Sequence, residues 1–348
     1  MSYNKYYLYK KQVSNDSGQT WTDVTPLETV PSGDVIATYD TLAECESYYS
    51  SQYLTFVAED NCTFTFTPNN SSLIYYSLNS GTTWTQGSAV TVNAETKVMW
   101  KGEMTPPASY PYGIGYFSAT TGHFSVEGNI MSLLFGDNFE GQTSLEGKVG
   151  VFYAFFQGCS GLTTAENLIL PATTLVDNCY EAMFKGCTSL TTAPQLPATT
   201  LAERCYEFMF QGCTSLTTAP QLPATTLESG CYGYMFRGCT ALTTAPVLSA
   251  TTLAEYCYCH MFRQCTSLQK APILPATTLE ESCYEYMFSG CTSLNEITCL
   301  ATDKSARYCT NYWVIGVSAS GTFVKAASMT SWTRGNNGIP TNWTVQNA

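Results

Sequence analysis

The sequence predicts a mainly β chain with short helical turns, built as a solenoid behind small β-rich modules at its N-terminus. Three observations predict it. From residue 158 to 309 the chain repeats every 26 residues, five successive windows reading GCTSLTTAPQLPATTLAERCYEFMFQ with small changes. The residues that stay fixed are apolar, as at Leu190, Leu196, Leu201, Met209 and Phe210, and apolar residues at a fixed phase of such a period are what stacked supersecondary units leave in a sequence. Upstream, apolar and polar residues alternate in short runs between Asn, Gly and Ser clusters, the pattern of half-buried antiparallel strands.

Residues 1–52 read as a small α+β module. Tyr6 to Tyr9 and Val35 to Tyr39 are strand runs, Ser14 to Gly18 is a turn, and Asp40 to Cys45 opens a short helix with Asp40 or Thr41 as N-cap. Residues 53–110 read as a small antiparallel sandwich with strands at Cys62 to Phe66, Leu73 to Tyr76, Val90 to Val92 and Lys97 to Trp100. Pro106, Pro107 and Pro111 make a linker into residues 111–157, where Gly128 to Phe135 has the apolar pattern of the repeats without their register and reads as an N-terminal cap. In each window of 158–309, a short strand near Thr191 to Gln195 is expected to pair in parallel with the next window. Glu203 to Gln211 is expected to return the chain as a short helix or helical turn. The column Pro194, Pro220, Pro246 and Pro272 marks a strand end or bulge, since Pro donates no ladder hydrogen bond. Residues 310–348 break the period and read as a C-terminal cap, with strands at Gly321 to Lys325 and Trp343 to Val345.

Composition narrows the function. The chain has 348 residues, enough for two or three domains, and only 12% of them are charged, about half the usual share. The net charge of −12 repels phosphate backbones and anionic lipid, so no nucleic-acid partner is expected. No apolar run is long enough to span a membrane. Met1 to Lys11 is polar and aromatic, which predicts a chain without a Sec leader. The 16 Cys suggest disulfides or zinc at first sight, but no CxxC pair occurs and twelve of them lie in two columns. One column is Cys159, Cys187, Cys213, Cys239, Cys265 and Cys291; the other is Cys179, Cys205, Cys231, Cys257, Cys283 and Cys309. Both read as buried ladders of reduced thiols, with disulfides between the columns the alternative, and neither a metal nor a cofactor is expected.

Comparing the windows with one another separates core from surface. Varying columns face solvent or a partner: Asp177, Glu203, Ser229, Glu255 and Glu281; Ala182, Phe208, Tyr234, His260 and Tyr286; Lys185, Gln211, Arg237, Arg263 and Ser289. Phe208, Tyr234, His260, Tyr286, Arg237 and Arg263 are therefore the candidate ligand- or partner-binding residues, because flat aromatic faces bind sugar rings or proteins with little entropy loss. The competing reading packs these rings against neighbouring turns. The acidic column solvates a surface more readily than it holds calcium.

Catalytic constellations are scarce. The only His are His123 and His260; Cys259 adjoins His260, but neighbouring residues point apart and form no catalytic pair. GxSxG, HExxH and phosphate-loop motifs are missing, so no enzyme is expected. Ser14 to Trp21 matches the Asp-box of sialidase propellers and Ser77 to Trp84 nearly does, with Asn79 for the acid. That motif is a turn in which the side chain bonds backbone amides above a packed Trp, and it carries no catalysis.

The phrase CTSLxxAPxLPATTLxxxCYxxMFxGC resembles the BspA-like leucine-rich repeats of gut Bacteroidetes, which share the Leu-Pro step and the aromatic-then-Cys turn. The segments Gly128 to Leu133, Cys309 to Trp313 and Gly321 to Val345 resemble parts that accompany such repeats. The resemblance implies a leucine-rich-repeat fold and an adhesive or protein-binding role; the 26-residue period is longer than the family's usual repeat and implies a bulkier convex side. Tyr6 to Glu46 is similar to openings of virion structural proteins from crAss-like and other Bacteroides phages. Together they imply a virion fibre, decoration or appendage component. It would dock on other virion proteins through its N-terminal modules and display the repeats to a host glycan or protein at the virion surface, with homo-oligomers open. The alternatives are a bacterial cell-surface adhesin and a capsid decoration without a receptor.

Overall fold

The computed structural model describes residues 51–70, 73–107 and 113–348, together with four two-residue strands upstream. These are β1 (Tyr6–Tyr7), β2 (Gln12–Val13), β3 (Thr22–Asp23) and β4 (Thr38–Tyr39); β1 pairs antiparallel with β4 and β2 with β3. The expected helix at Asp40 to Cys45 and the turn at Ser14 to Trp21 lie outside the described residues. The described residues are mainly β with very little helix.

Residues 54–129 form two facing sheets. Strands β5 (Leu54–Ala58), β6 (Cys62–Pro68), β7 (Ile74–Ser77), β8 (Thr85–Gln86), β9 (Ala89–Val92), β10 (Lys97–Gly102), β11 (Gly115–Thr121) and β12 (Phe124–Asn129) supply them, and β13 (Leu162–Ile169) joins from the first window. One sheet runs β13-β12-β5-β10-β7-β8 and the other β11-β6-β9. The alternation read from the sequence is visible in β6, where Cys62, Phe64 and Phe66 are buried and the Thr residues between them half-buried. Phe56 sits at the centre of the core, its ring 4.6–5.8 Å from those of Phe64, Trp100, Phe117, Phe124 and Phe156.

The sheets correct the expected division between 53–110 and 111–157. β11 pairs antiparallel with β6, and β12 with β5, so both sheets continue past the Pro linker. The reason is packing: Phe117 and Phe124 complete the ring cluster around Phe56. The segment read as a cap is the joint with the repeats. β12 pairs in parallel with β13, and the short helix α1 (Ser132–Phe135) ties in through Ser132, whose hydroxyl donates to Trp100 O and accepts from Leu54 N.

Within the repeats the Thr segment is not a continuous strand. It makes isolated parallel bridges such as Thr164 with Thr192 and Thr218 with Thr244, and the Pro column stops it. The principal ladder lies in the turn segments. N–H groups of Arg204, Tyr206, Phe208, Phe210 and Gly212 donate to the carbonyls of Ser229, Cys231, Gly233, Met235 and Arg237 at 2.8–3.1 Å. The same pattern recurs from 150–158 through 282–290.

Of the short helix or helical turn expected at Glu203 to Gln211 the structure forms turns and no helix, and backbone sign is the cause. Arg204, Phe208 and Gly212 have φ of 52°, 58° and 75°; a left-handed residue at every fourth position breaks the helix and turns alternate N–H groups toward the next window. Window-like bonding starts at Gly150, ahead of the expected start at residue 158. Phe152, Phe155 and Phe156 there stand where Tyr180, Met183 and Phe184 stand in the next window. At the far end Trp313 closes the stack, with β14 (Glu296–Cys299), β15 (Thr322–Lys325) and β16 (Thr344–Asn347) in a parallel sheet beside it.

Candidate functional site: the turn face of the repeats

Each turn segment sends residues into the core and out two at a time, with Cys205 and Tyr206, then Met209 and Phe210, buried between exposed or half-buried pairs. Inward, Tyr180, Tyr206, Tyr232, Tyr258 and Tyr284 stack with ring centroids 5.8–6.1 Å apart. Phe184, Phe210, Phe236, Phe262 and Phe288 stack at 5.4–5.9 Å. The two Cys columns are buried beside them, and every described Cys is free. Cys187, Cys213, Cys239, Cys265 and Cys291 donate their S–H to the carbonyls of Phe156, Phe184, Phe210, Phe236 and Phe262 at 2.9–3.1 Å. Burial pushes these thiols up, Cys213 and Cys265 well above their ordinary value and Cys239 to about 12, so they stay protonated and unreactive. Among the described residues, no group of three or more His, Cys, Asp or Glu side chains is arranged to hold a metal ion.

Outward, the variable aromatic column forms a third ladder. Phe208, Tyr234, His260, Tyr286 and Tyr312 follow one another with centroids 4.3–5.2 Å apart. At that spacing each inner ring covers its neighbours' faces, so the column leaves ring edges rather than flat faces uncovered. His260 is only 8% exposed; its Nδ1 accepts a hydrogen bond from Arg263 Nη1 at 3.3 Å, which places the ring proton on Nε2. Burial, then Arg263 and Arg237, lowers its pKa to about 4, so the ring is neutral at physiological pH. Cys259 is buried apart from it and raised to about 12 by burial.

Cations line one side of this ladder. Lys185 lies 5.1 Å from the Phe208 ring, Arg237 5.8 Å from Tyr234 and Arg263 5.2 Å from Tyr286. Glu181, Glu207 and Glu285 precede the aromatic column by one residue, in a varying column completed by Gly233 and Cys259 that sequence comparison passed over. Glu207 is raised to about 7 by burial and then by Glu181, with Arg204 3.7 Å away opposing the shift. The acidic column at Asp177 has a backbone role at its start, where Asp177 Oδ1 accepts from Glu203 N at 3.1 Å. The candidate residues therefore form a stripe of ring edges with Lys185, Arg237 and Arg263 beside it, on a scaffold whose core columns do not vary.

The comparison with protein families agrees with this geometry. Residues 151–261 and 231–312 match the BspA type leucine rich repeat region, in six copies. BspA-type leucine-rich repeats are thus present over the segment in which the turn ladder runs. Neither the curated proteins nor the solved structures gave a match.

Proposed function

We propose that residues 151–312 form a leucine-rich-repeat solenoid of 26-residue period that acts, without catalysis, as a protein-interaction surface of an adhesin-like chain. The turn-face stripe is its contact surface. The observation that carries this reading is the contrast between ladders: the inward Tyr, Phe and Cys columns keep their chemistry, while the outward one changes through Ala182, Phe208, Tyr234, His260 and Tyr286. A core that fixes the spacing and a surface free to vary suits recognition of a partner over a long front. The stripe of Lys185, Arg237 and Arg263 on a chain of net charge −12 adds local attraction for carboxylates on that partner.

The setting we propose is a phage virion, supported by the likeness of Tyr6 to Glu46 to virion proteins, with those N-terminal residues docking on the particle; a bacterial surface adhesin is the alternative. Attachment of the full chain to gut Bacteroides cells tests the contact surface. Lys185→Glu with Arg237→Glu reduces attachment about tenfold or more with an unchanged Tm. Unchanged attachment removes the stripe from the account. Fractionation tests the setting, since a virion component co-purifies with particles and an adhesin with outer membranes.

A further inference from the structure

The sandwich carries a cavity that belongs to neither the repeats nor their stripe. It measures about 570 Å³ and is lined by Leu73, Tyr75, Trp84, Lys101, Glu103 and Asp137, with the backbone of Gly102 and Gly136 between them. That volume is in the range of small-molecule sites, as is the mixture of rings with a few convergent polar groups. We propose that this cavity binds a neutral saccharide.

Its aromatic wall is positioned by the near match to the Asp-box. Asn79 Oδ1 accepts from Thr83 N at 3.0 Å and Asn79 Nδ2 donates to Thr83 Oγ1 at 2.8 Å. Ser77 Oγ accepts from Gly81 N at 3.0 Å and donates to Asn79 Oδ1 at 2.9 Å. The turn so closed leaves Trp84 at its end, its ring 4.9 Å from that of Tyr53 and half-exposed to the cavity. A structural turn motif here serves to aim an indole.

The polar groups are equally fixed. Lys101 Nζ lies 4.3 Å from the Trp84 ring centroid and 2.6 Å from Asp137 Oδ1, while Tyr53 OH donates to the same oxygen at 2.7 Å. Those two donors, Lys101 first, hold the Asp137 carboxyl below the usual carboxylate range, so it is ionised. Glu103 lines the cavity exposed and makes no hydrogen bond or ion pair among the described residues.

This set selects by charge. A ring wall beside two carboxylates would suit an organic cation, but the chain's own Lys101 ammonium already stands over Trp84 and against Asp137. With Lys101 set against Glu103 and Asp137 the cavity keeps one net negative charge, which repels anionic ligands. A neutral sugar satisfies what remains. Its C–H face packs on Tyr75 and on the part of the half-exposed Trp84 ring that Lys101 leaves uncovered, vicinal hydroxyls donate to Glu103 and Asp137, and a ring or hydroxyl oxygen accepts from Lys101. The expectation that the repeats bind glycan thus moves to the sandwich, leaving the stripe to a protein.

The test is an array of neutral hexose oligosaccharides beside their sialylated counterparts, probed with the full chain. Binding to neutral members, weaker binding to sialylated ones, and a loss of about tenfold in both Trp84→Ala and Glu103→Gln are expected. Glu103→Gln leaves Tm unchanged, because that side chain supports nothing around it. Lys185→Glu with Arg237→Glu leaves the array signal intact, so this site and the stripe fail separately. The proposal is overturned by no binding to any neutral oligosaccharide, by equal binding of sialylated ones, or by wild-type affinity in Glu103→Gln.

Discussion

The sandwich and the repeats are both filled with aromatic rings, but in opposite ways. Around Phe56 each ring has its own neighbours and its own angle, with interplanar values from 35° to 75°. In the repeats, Tyr206 stacks on Tyr232 at 3° and Phe210 on Phe236 at 3°, each column meeting a copy of itself. A core of unique contacts makes a unique cavity; a core of identical contacts makes a surface that extends with copy number. The difference explains why one region presents a pocket and the other a stripe.

Three expected outcomes would break or sharpen this contrast. The largest concerns Phe56→Ala, which removes a fully buried ring from the centre of a non-repeating cluster and should cost about 3–5 kcal/mol in denaturant unfolding. A value below about 1 kcal/mol would mean that the cluster is not the keystone of the sandwich. Next, removal of Gly212 to Arg237 deletes one whole window and joins Gln211 to Gly238, which occupy equivalent junctions. Each window contacts mainly its neighbours, so the shortened chain should fold cooperatively with Tm lowered by less than about 5 °C. Loss of the folded state, seen by circular dichroism, would show that the windows are as individual as the sandwich strands.

The smallest effect is a pH dependence on the turn face. Glu207 holds its proton up to about pH 7 in the folded chain, whereas the unfolded carboxyl releases it near its ordinary value of 4.5. The folded state therefore binds more protons between these limits, and stability falls as pH rises from 4.5 to about 7 before levelling. Glu207→Gln should flatten this slope and raise stability at pH 8 by about 1 kcal/mol, read from denaturation midpoints across pH. An unchanged slope would place Glu207 in water.

The two regions were unequally legible in the sequence. Leu190, Met209, Phe210 and both Cys columns announce burial by period alone, and Pro194 marks where the Thr segment stops pairing. The turn ladder announces itself only in part: Phe208, Tyr234 and His260 carry no mark of their positive φ, while Gly230, in the column of Arg204, and the column of Gly186, Gly212, Gly238 and Gly290 do. In the sandwich, strand runs such as Cys62 to Phe66 and Lys97 to Trp100 show their alternation locally. Their pairing with β11 and β12 across the Pro linker is non-local, so composition placed the boundary too early. The cavity was illegible for the same reason: Trp84, Lys101, Glu103 and Asp137 come from separate segments and meet only when the sheet forms. The aromatic column was legible by its variation, which left two readings open, rings that bind and rings packed on neighbouring turns; the structure shows Phe208, Tyr234, His260 and Tyr286 stacked on one another.

The most direct test of the contact surface is site-specific photo-crosslinking on host cells. A photo-reactive phenylalanine analogue is placed at Arg237 on the stripe or at Val247, which is exposed beside Pro246 outside the turn segments. The account predicts covalent adducts with a host surface protein from position 237 and none from position 247. Adducts from position 247 alone would contradict it.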